Sequence, residues 1–369
     1  MTHLPEIDDY LCRILRGESP AWPATFDADF APSFLQRSLH HGVEALVFDR
    51  VCKTPEFSGW PDEVKTRLAA ALRAGVAFDL LRAHEVAEFL AELRRRGIAF
   101  LLTKGAALAR THYTNSTLRT RCDTDLFIDL HDIERVRMAL LESGYEAVPP
   151  IYKSHQFMGV SRRHTQAPVI FDIHWRILNA PQFARVIDFT EALDQSVPVP
   201  GMDGCRTLGA VDALLLACMH RKGSVQHDED RLIWLYDIHL LLGAMTPGQW
   251  DEFAVRAVNK QVQAACLDGL RRAQACFHTL VAGAVIDMLT AAQRAANRSG
   301  RFAGSNLSLL IDDLRRLPGR QARWSLVGEL FFPPADSLAR KYSTSKRRWL
   351  PLLYLRHILG GLSARLTLR

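Results

Sequence analysis

The sequence predicts an α+β fold, in which a small mixed β-sheet is flanked by helical units on its N-terminal and C-terminal sides. Between residues 98 and 200, short apolar runs that end at glycine or polar turns alternate with helical segments. Before and after this region, apolar residues recur three and four positions apart, which is typical of amphipathic helices. We therefore expect an N-terminal helical region at 1–97, a sheet-containing core at 98–200, a helical domain at 205–310 and a basic C-terminal segment at 311–369.

Length and composition indicate an ordinary globular protein. The chain has 369 residues, of which 48% are hydrophobic and 23% charged, enough to bury a full core. No apolar run approaches the roughly 20 residues that span a bilayer, and the polar, acidic start does not resemble a signal peptide. The expected location is the cytoplasm. The seven cysteines are scattered and never spaced as Cys-x-x-Cys, which argues against a disulfide framework or a zinc ribbon.

The positive charge is concentrated at the C-terminal end of the chain. The net charge is +6, yet residues 315–369 contain twelve Lys and Arg against one Glu and one Asp, so the remainder is slightly acidic. This basic tail is most often a solvated face, but it could also steer a nucleotide or an acidic acceptor, or rest on a membrane surface. Binding of nucleic acid through the tail is possible but not favoured.

A turn suited to phosphate follows the first predicted strand. The apolar run Ile98–Leu102 leads into Lys104-Gly105 and then into a helical segment at 106–113. Glycine at a helix N-terminus lets phosphate oxygens come close to backbone N–H groups, and Lys104 adds a mobile positive charge. Arg119 or Arg121 could hold further phosphate oxygens through a bidentate guanidinium.

Three aspartates lie on two predicted strands. Asp123 and Asp125 are two residues apart at the start of a strand, which predicts that their side chains share one face, roughly 6.5 to 7 Å apart. Asp172, within the apolar run 169–173, can supply a third carboxylate from an adjacent strand. Three such carboxylates can hold the paired metal ions of phosphoryl transfer, and oxygen-only ligands favour Mg²⁺ or Mn²⁺ over zinc.

Simpler interpretations exist for each of these residues. An isolated Asp-x-Asp is usually a solvated turn, and here the order of strand, Lys-Gly turn, helix, arginine and Asp-x-Asp favours an active site. His174 could contact an acceptor or a phosphate, or only orient Asp172 through a hydrogen bond. His220, His227 and His239 are not at metal-binding spacing and are expected to be satisfied or exposed. Residues Arg231, Trp234 and Asp237 are expected to hold the helical domain against the sheet, although the tryptophan could stack on a base.

The remaining pattern is mostly helical. Apolar periodicity predicts one or two helices over residues 64–93 and a helix between 130 and 144. Strands are expected at 145–148, 156–160 and 168–174, and the proline- and glycine-rich segment 197–204 is the clearest linker. Beyond it, helices are expected at 211–220, 230–242, 249–259, 261–280 and 285–298.

These motifs resemble those of the DNA polymerase β-like nucleotidyltransferase superfamily and, more narrowly, of its bacterial "uncharacterised nucleotidyltransferase" family. The resemblance rests on Lys104-Gly105, on Arg119 four residues before Asp123-Thr-Asp125-Leu, and on the segment Asp172-Ile-His-Trp-Arg176. It is specific over about residues 98–176 and looser in the following helices. Two positions depart from the superfamily pattern: Ala106 follows Gly105 where serine or glycine is usual, and Thr124 separates the two aspartates where an apolar residue is usual.

The resemblance implies a Mg²⁺-dependent transferase with an NTP, most often ATP, as its substrate. It would move a nucleoside monophosphate to an unidentified small-molecule, peptide or protein acceptor and release pyrophosphate. The implied metal-binding and catalytic residues are Asp123, Asp125 and Asp172, and the predicted nucleotide-binding residues are Lys104, Gly105, Arg119, Arg121 and His174. An RNA-modifying or toxin-type transferase is the alternative enzyme, and a non-catalytic nucleotide-binding protein is the alternative of another class.

Overall fold

Helices make up most of the chain. The computed structural model describes residues 4–23, 29–148, 156–161, 168–180, 182–225 and 228–298, together with 324, 328, 332 and 351–357. The predicted basic segment therefore lies almost wholly outside the described residues. The described helices are α1 Leu4–Leu15, α2 Phe30–His41, α3 Glu44–Val51, α4 Asp62–Arg95, α5 Lys104–Thr111, α6 Ile133–Glu142, α7 Phe189–Asp194, α8 Ala210–Ser224, α9 Leu232–Ala244, α10 Pro247–Asn259, α11 Gln263–Phe277 and α12 Gly283–Arg298. Residues 351–357 are also helical.

A mixed β-sheet lies at the centre of the fold. Its strands in the described part of the chain are β1 Phe100–Thr103, β2 Thr124–Ile128, β3 Tyr145–Val148, β4 Gln156–Ser161, β5 Ile170–His174, β6 Val197–Pro198 and β7 Arg206–Thr207. They are ordered β3-β4-β5-β2-β1-β7-β6. Strand β2 pairs antiparallel with β1 and parallel with β5. The predicted α+β class, with helical units on both sides of a mixed sheet, is confirmed.

The two faces of the sheet pack against different helices. One face contributes Leu101 and Phe127 to a core shared with helices α8 to α12, which we call the helical domain. The opposite face packs against α6 and the end of α4 through Phe100, Leu102, Leu126, Ile128, Phe171 and Ile173. Because side chains alternate along a strand, Asp125 shares the face of Phe127, and Asp172 and His174 lie opposite Phe171 and Ile173. The polar residues of β2 and β5 therefore face the helical domain.

Helix α4 connects two cores. The sequence left open whether residues 64–93 form one helix or two, and the structure has one helix of 34 residues. Its first turns bury Val64 and Leu68 in an N-terminal core with α1 to α3, and its last turns bury Phe89, Leu90 and Leu93 beneath the sheet. Helix α9 also enters the N-terminal core through residues 232–236. The predicted division into four regions stays a prediction, and the structure shows that the N-terminal helices share their core with α9.

The segment predicted as a linker contains part of an edge hairpin. Strand β6 pairs antiparallel with β7, and β7 pairs parallel with β1. The turn between β6 and β7 contains Gly201 and Gly204 in the left-handed region, with φ of 70° and 67°. Proline lacks a backbone donor but is tolerated on an edge strand, so Pro198 is compatible with this position. Sequence reasoning did not identify the hairpin because each strand has only two residues.

A buried ion pair joins the sheet region to the helical domain. Arg119 precedes β2, and its guanidinium donates hydrogen bonds to Asp237 of α9 at 2.7 Å (Nη2 to Oδ2) and 2.8 Å (Nε to Oδ1). Tyr113 donates its hydroxyl to Oδ1 of the same carboxylate at 2.8 Å. Both charged side chains are less than 10% exposed. The expected role of Asp237 in holding the helical domain against the sheet agrees with these contacts.

We predict that Asp237→Asn lowers the free energy of unfolding by about 3 kcal/mol or more, because it leaves the buried Arg119 guanidinium without its counter-charge. Urea denaturation measures the change. The double variant Arg119→Met/Asp237→Leu should recover much of the loss, since it removes both charges together.

The matched control is Asp228→Asn. Asp228 accepts from Arg231 at 2.9 Å, but both side chains of this pair are at least 40% exposed. Exposed pairs contribute about 0–1 kcal/mol, so this variant should unfold near the wild-type midpoint. Equal effects of the two substitutions would contradict the anchoring role of Asp237.

Candidate active site

The turn between β1 and α5 places a lysine on the polar face of the sheet. Thr103 ends β1 and pairs with Asp125 of β2. The next residue, Lys104, has φ of 51°, in the left-handed region that non-glycine residues rarely adopt. Such backbone strain is concentrated at functional sites, where the surrounding structure maintains it. Lys104 thereby begins α5 while its side chain extends to the neighbouring strands.

Lys104, Asp125, Asp172 and His174 converge on this face. Asp125 lies opposite Asp172 in the parallel pairing of β2 with β5, and Phe127 lies opposite His174. The Lys104 ammonium nitrogen is 2.6 Å from Asp125 Oδ1 and 3.1 Å from His174 Nε2. His174 Nε2 is 3.0 Å from Asp125 Oδ1 and 3.7 Å from Asp172 Oδ2. The carboxylate within hydrogen-bond distance of His174 is therefore that of Asp125, whereas the sequence suggested a hydrogen bond to Asp172 as one option.

Opposing effects set the ionisation of Asp125 and Lys104. Burial favours the neutral carboxyl of Asp125, but the Lys104 ammonium and the His174 hydrogen bond outweigh it and lower the pKa of Asp125. Burial likewise favours a neutral Lys104, but Asp125, with smaller contributions from Asp172 and Asp123, raises the pKa of Lys104. These two side chains therefore form a buried ion pair at neutral pH.

The pKa values of Asp172 and His174, the other two members of the cluster, are shifted in the directions that favour the neutral forms. Burial, reinforced by the nearby Asp125 carboxylate, raises the pKa of Asp172 to about 7. Burial, reinforced by the Lys104 charge, lowers the pKa of His174 to about 4. The imidazole is neutral at pH 7, and Asp172 is poised between its two forms. A carboxyl that titrates near pH 7 is suited to take up or release a proton during catalysis.

The arrangement of ligand atoms is suited to a metal ion. Among the described residues, one ligand atom each from Asp125, Asp172 and His174 lies within 4.8 Å of the others. Asp172 Oδ1 and His174 Nδ1 are buried without a hydrogen-bond partner among the described residues. Buried polar atoms are normally satisfied, so an open carboxylate oxygen is consistent with a ligand that binds there. Two carboxylates favour Mg²⁺ or Mn²⁺, and the imidazole also suits softer transition metals.

Asp123 lies beside this set rather than within it. Strand β2 begins at Thr124, so Asp123 precedes the strand and is half-buried. It is close enough to Asp125 for the two charges to interact: burial, followed by the Asp125 carboxylate, raises the pKa of Asp123 to about 6. The structure thus brings Asp125 and Asp172 together directly, and the role of Asp123 as a metal ligand stays a prediction.

The predicted phosphate-binding residues have protein partners in this structure. The Arg119 guanidinium lies against Gly105, where an added Cβ would be 3.2 Å from Arg119 Cζ. Gly105 therefore allows the close approach of Arg119 as well as any approach of phosphate. Arg121 pairs with Asp79 of α4 at 2.9 Å and donates to the Ser116 carbonyl at 3.1 Å. Binding of nucleotide by Gly105, Arg119 and Arg121 stays a prediction.

A small cavity adjoins Lys104 on the side of the helical domain. Its volume is about 30 Å³, enough for a water molecule but not for a nucleobase. The lining residues are Thr103, Lys104, Ala107, Leu108, Arg119, Thr207, Leu208, Ala213, Leu216, Ala217, His220, Trp234 and Asp237.

Sequence reasoning did not place His220 beside the site. Its ring packs edge-on against Trp234, with centroids 5.6 Å apart, and burial together with the nearby Lys104 charge lowers its pKa to about 3. The ring is therefore neutral at pH 7. His220 ends an apolar helical run, which in sequence resembles an ordinary helix end. His239 bonds Thr279, and His227 lies outside the described residues.

Comparison with known families identifies the family of this chain. The model of the family described as "Uncharacterised nucleotidyltransferase" matches residues 30–278, which is more than half of the chain. The chain belongs to this nucleotidyltransferase family. The match begins at the first residue of α2 and extends to His278, which directly follows α11, so it includes the sheet, the Lys104 turn and most of the helical domain. A search of curated proteins found no significant match.

Membership of this family indicates the general class of reaction that the protein catalyses. It is a transferase, and its family implies a nucleoside triphosphate as substrate. Nucleotidyltransferases generally use divalent metal ions, and the Asp125, Asp172 and His174 set is a possible site for one. In the part of the chain that the structure describes, no helix is both long enough and apolar enough to cross a membrane.

We predict that divalent metal affinity of this nucleotidyltransferase falls as the pH decreases through 7. A raised carboxyl pKa means that Asp172 is ionised at pH 8 and largely protonated at pH 6, where a metal ion must displace that proton. The apparent Mn²⁺ affinity should fall by about tenfold per pH unit below 7, and binding should release about one proton. Calorimetry with a non-hydrolysable ATP analogue present, in buffers of different ionisation enthalpy, measures both quantities.

His174 should not contribute to this dependence, because its pKa of about 4 keeps the ring neutral from pH 6 to 8. The variant Asp172→Asn should bind Mn²⁺ more weakly at pH 8 and lose most of the proton release. A wild-type affinity that is constant between pH 6 and 8 would show that Asp172 does not bind the metal.

Proposed function

We propose that this nucleotidyltransferase transfers AMP from ATP to a hydroxyl of a small molecule, peptide or protein and releases pyrophosphate. The observation that carries the proposal is the convergence of Asp125, Asp172, His174 and Lys104 on the sheet face that meets the helical domain. Carboxylates, an ammonium group and a helix N-terminus lie within reach of one another, and these are the groups that phosphoryl transfer requires.

The carboxylates are assigned to metal binding. Asp125 and Asp172 would hold Mg²⁺ or Mn²⁺, and Asp123 would complete a second position beside Asp125. When bound, the metal supplies charge stabilisation at the reacting phosphorus and activates the attacking oxygen. All three carboxylates interact through their charges in this structure, since Asp125 and Asp123 both influence the pKa of Asp172.

Asp172 is also assigned to the proton of the acceptor. Its Oδ1 is buried and has no hydrogen-bond partner among the described residues, so this oxygen is available to accept a proton from the acceptor. In this role, the acceptor hydroxyl donates its proton to Asp172 Oδ1 as the hydroxyl oxygen attacks the α-phosphorus of ATP. The bond from that phosphorus to the bridging oxygen of the β-phosphate breaks, and pyrophosphate leaves.

The positive groups are assigned to the triphosphate. Lys104 would neutralise phosphate oxygens, and the backbone N–H groups that follow Gly105 at the start of α5 would donate to them. Arg119 and Arg121 would add positive potential, and His174, a member of the candidate metal set, would also lie beside the phosphates. The charge of Arg119 acts from its position against Gly105, where Asp237 holds it.

ATP is the expected nucleotide, and the helical domain, which faces the site, is the expected contact surface for the acceptor. A cytoplasmic location stays a prediction from the sequence. An RNA acceptor would require binding by the basic tail, most of which lies outside the described residues, so a small-molecule or protein hydroxyl is preferred.

The test is transfer from each α-labelled NTP in the presence of Mg²⁺ or Mn²⁺, read as pyrophosphate release and as label on a panel of acceptors that includes tRNA. We predict that Asp123→Asn/Asp125→Asn lowers the rate by more than about a hundredfold, since even the partners behind metal ligands typically contribute 10- to 100-fold. Asp172→Asn should have an effect of similar size.

The control is Asp194→Asn, which removes one carboxylate from the exposed end of α7 and should leave the rate unchanged. Persistent transfer in the double variant would eliminate the proposed mechanism. Labelled tRNA, with no labelled protein or small molecule, would support the RNA-modifying alternative.

A further inference from the structure

Lys104 occupies the position that a metal ion would need. Its ammonium nitrogen lies 2.6 Å from Asp125 Oδ1 and 3.1 Å from His174 Nε2. Asp125 and His174 are two of the three residues in the candidate metal set. The Lys104 side chain is only 16% exposed and that of Asp125 only 6%. The ammonium group is thus buried against two of the three candidate ligands.

The ammonium group and a metal ion would compete for Asp125 Oδ1 and His174 Nε2. Asp125 Oδ1 already receives contacts from Lys104 and from His174 Nε2. A hard cation bound to the same oxygen approaches to about 2.1 Å, closer than a hydrogen-bond donor does. Binding of a metal ion through His174 Nε2 would also displace the contacts that this nitrogen makes with Lys104 and Asp125. Either cation can satisfy the carboxylates, but one must leave for the other to bind.

The balance of charges in the site also indicates that Lys104 and a metal ion take each other's place. When ionised, Asp123, Asp125 and Asp172 carry three negative charges, and Lys104 supplies one positive charge. A buried excess of negative charge is unfavourable, because neighbouring carboxylates repel one another. An incoming NTP with its divalent ion brings both a cation for the carboxylates and phosphate oxygens for the displaced ammonium. NTP alone, or metal alone, brings only one of these.

We propose that Lys104 closes the metal site in the absence of nucleotide and moves to the phosphates when an NTP arrives with its metal ion. This inference rests on the proposed function of the site. Lysine suits the role because a flexible four-carbon stem carries a compact charge, so the ammonium can change partners while the backbone stays in place. The left-handed backbone conformation of Lys104 keeps its main chain between strand β1 and the N-terminus of α5. The site therefore binds metal and nucleotide together and resists free metal ions.

The experiment uses electron paramagnetic resonance to measure Mn²⁺ binding to the full chain, as the loss of the signal of free Mn²⁺. It is done with and without a non-hydrolysable ATP analogue. Without nucleotide, Lys104→Met should bind Mn²⁺ at least about tenfold more tightly than the wild type, because removal of the ammonium leaves buried carboxylates without a counter-charge. With the analogue, the order should reverse, since the variant lacks the group that pairs with phosphate. A second variant, Lys104→Gln, should behave in the same way.

Two controls locate the effect. Lys222→Met removes the same charge from α8, where Lys222 is 3.7 Å from Asp268 and 44% exposed, and it should bind Mn²⁺ like the wild type. Adding Asp125→Asn to Lys104→Met should abolish the tight binding. A rise in melting temperature on addition of Mn²⁺ that is larger for Lys104→Met than for the wild type gives an independent readout of folded protein.

The outcomes separate this inference from the proposed function. If the wild type takes up Mn²⁺ with the analogue but Lys104→Met binds free Mn²⁺ no more tightly than the wild type, the closing role of Lys104 is wrong and the metal site stands. If the wild type takes up no Mn²⁺ even with nucleotide, the proposed function fails, and this inference fails with it.

Discussion

Two acidic side chains lie opposite each other across the parallel pair of strands β2 and β5, and the rest of the site compensates for their repulsion. Neighbouring strands are about 4.8 Å apart, so the register that pairs Asp125 with Asp172 forces their carboxyls together. Without a cation, the pair cannot be doubly ionised at low cost. The structure responds in two ways: Lys104 neutralises Asp125, and the pKa of Asp172 rises to about 7.

The surroundings keep that arrangement in place. Antiparallel pairing with β1 sets Thr103 against Asp125, so that Lys104 follows directly at the start of α5. The Arg119–Asp237 ion pair connects the loop before β2 to the helical domain, and Gly105 leaves room for the arginine. Gly105 and Arg119, each predicted from sequence as phosphate ligands, therefore also form the joint between sheet and helices. A substitution at either residue should therefore affect stability, in addition to its predicted effect on nucleotide binding.

The sequence predicted the parts of the site that depend on local pattern. The alternation of short strands and helices gave the α+β class, and the order of Lys104, Asp125 and Asp172 along the chain identified the residues that meet in space. The contacts that depend on residues distant in the chain could not be predicted. The partner of Arg119 is 118 residues away, and the choice of Asp125 over Asp172 by His174 follows from strand register. The edge hairpin of β6 and β7 was not predicted for the same reason. Strands of two residues are defined by their pairing with a neighbouring strand and not by the β-propensity of their residues.

The central claim is that Asp125 and Asp172 hold one and the same metal ion. A crystal structure of the protein with Mn²⁺ and a non-hydrolysable ATP analogue, read by the anomalous signal of manganese, tests it directly. The account predicts a manganese peak within about 2.2 Å of carboxylate oxygens from both residues, next to the α-phosphate. A peak bound to neither residue, or to Asp125 with the Asp172 carboxyl turned away from the ion, would contradict it.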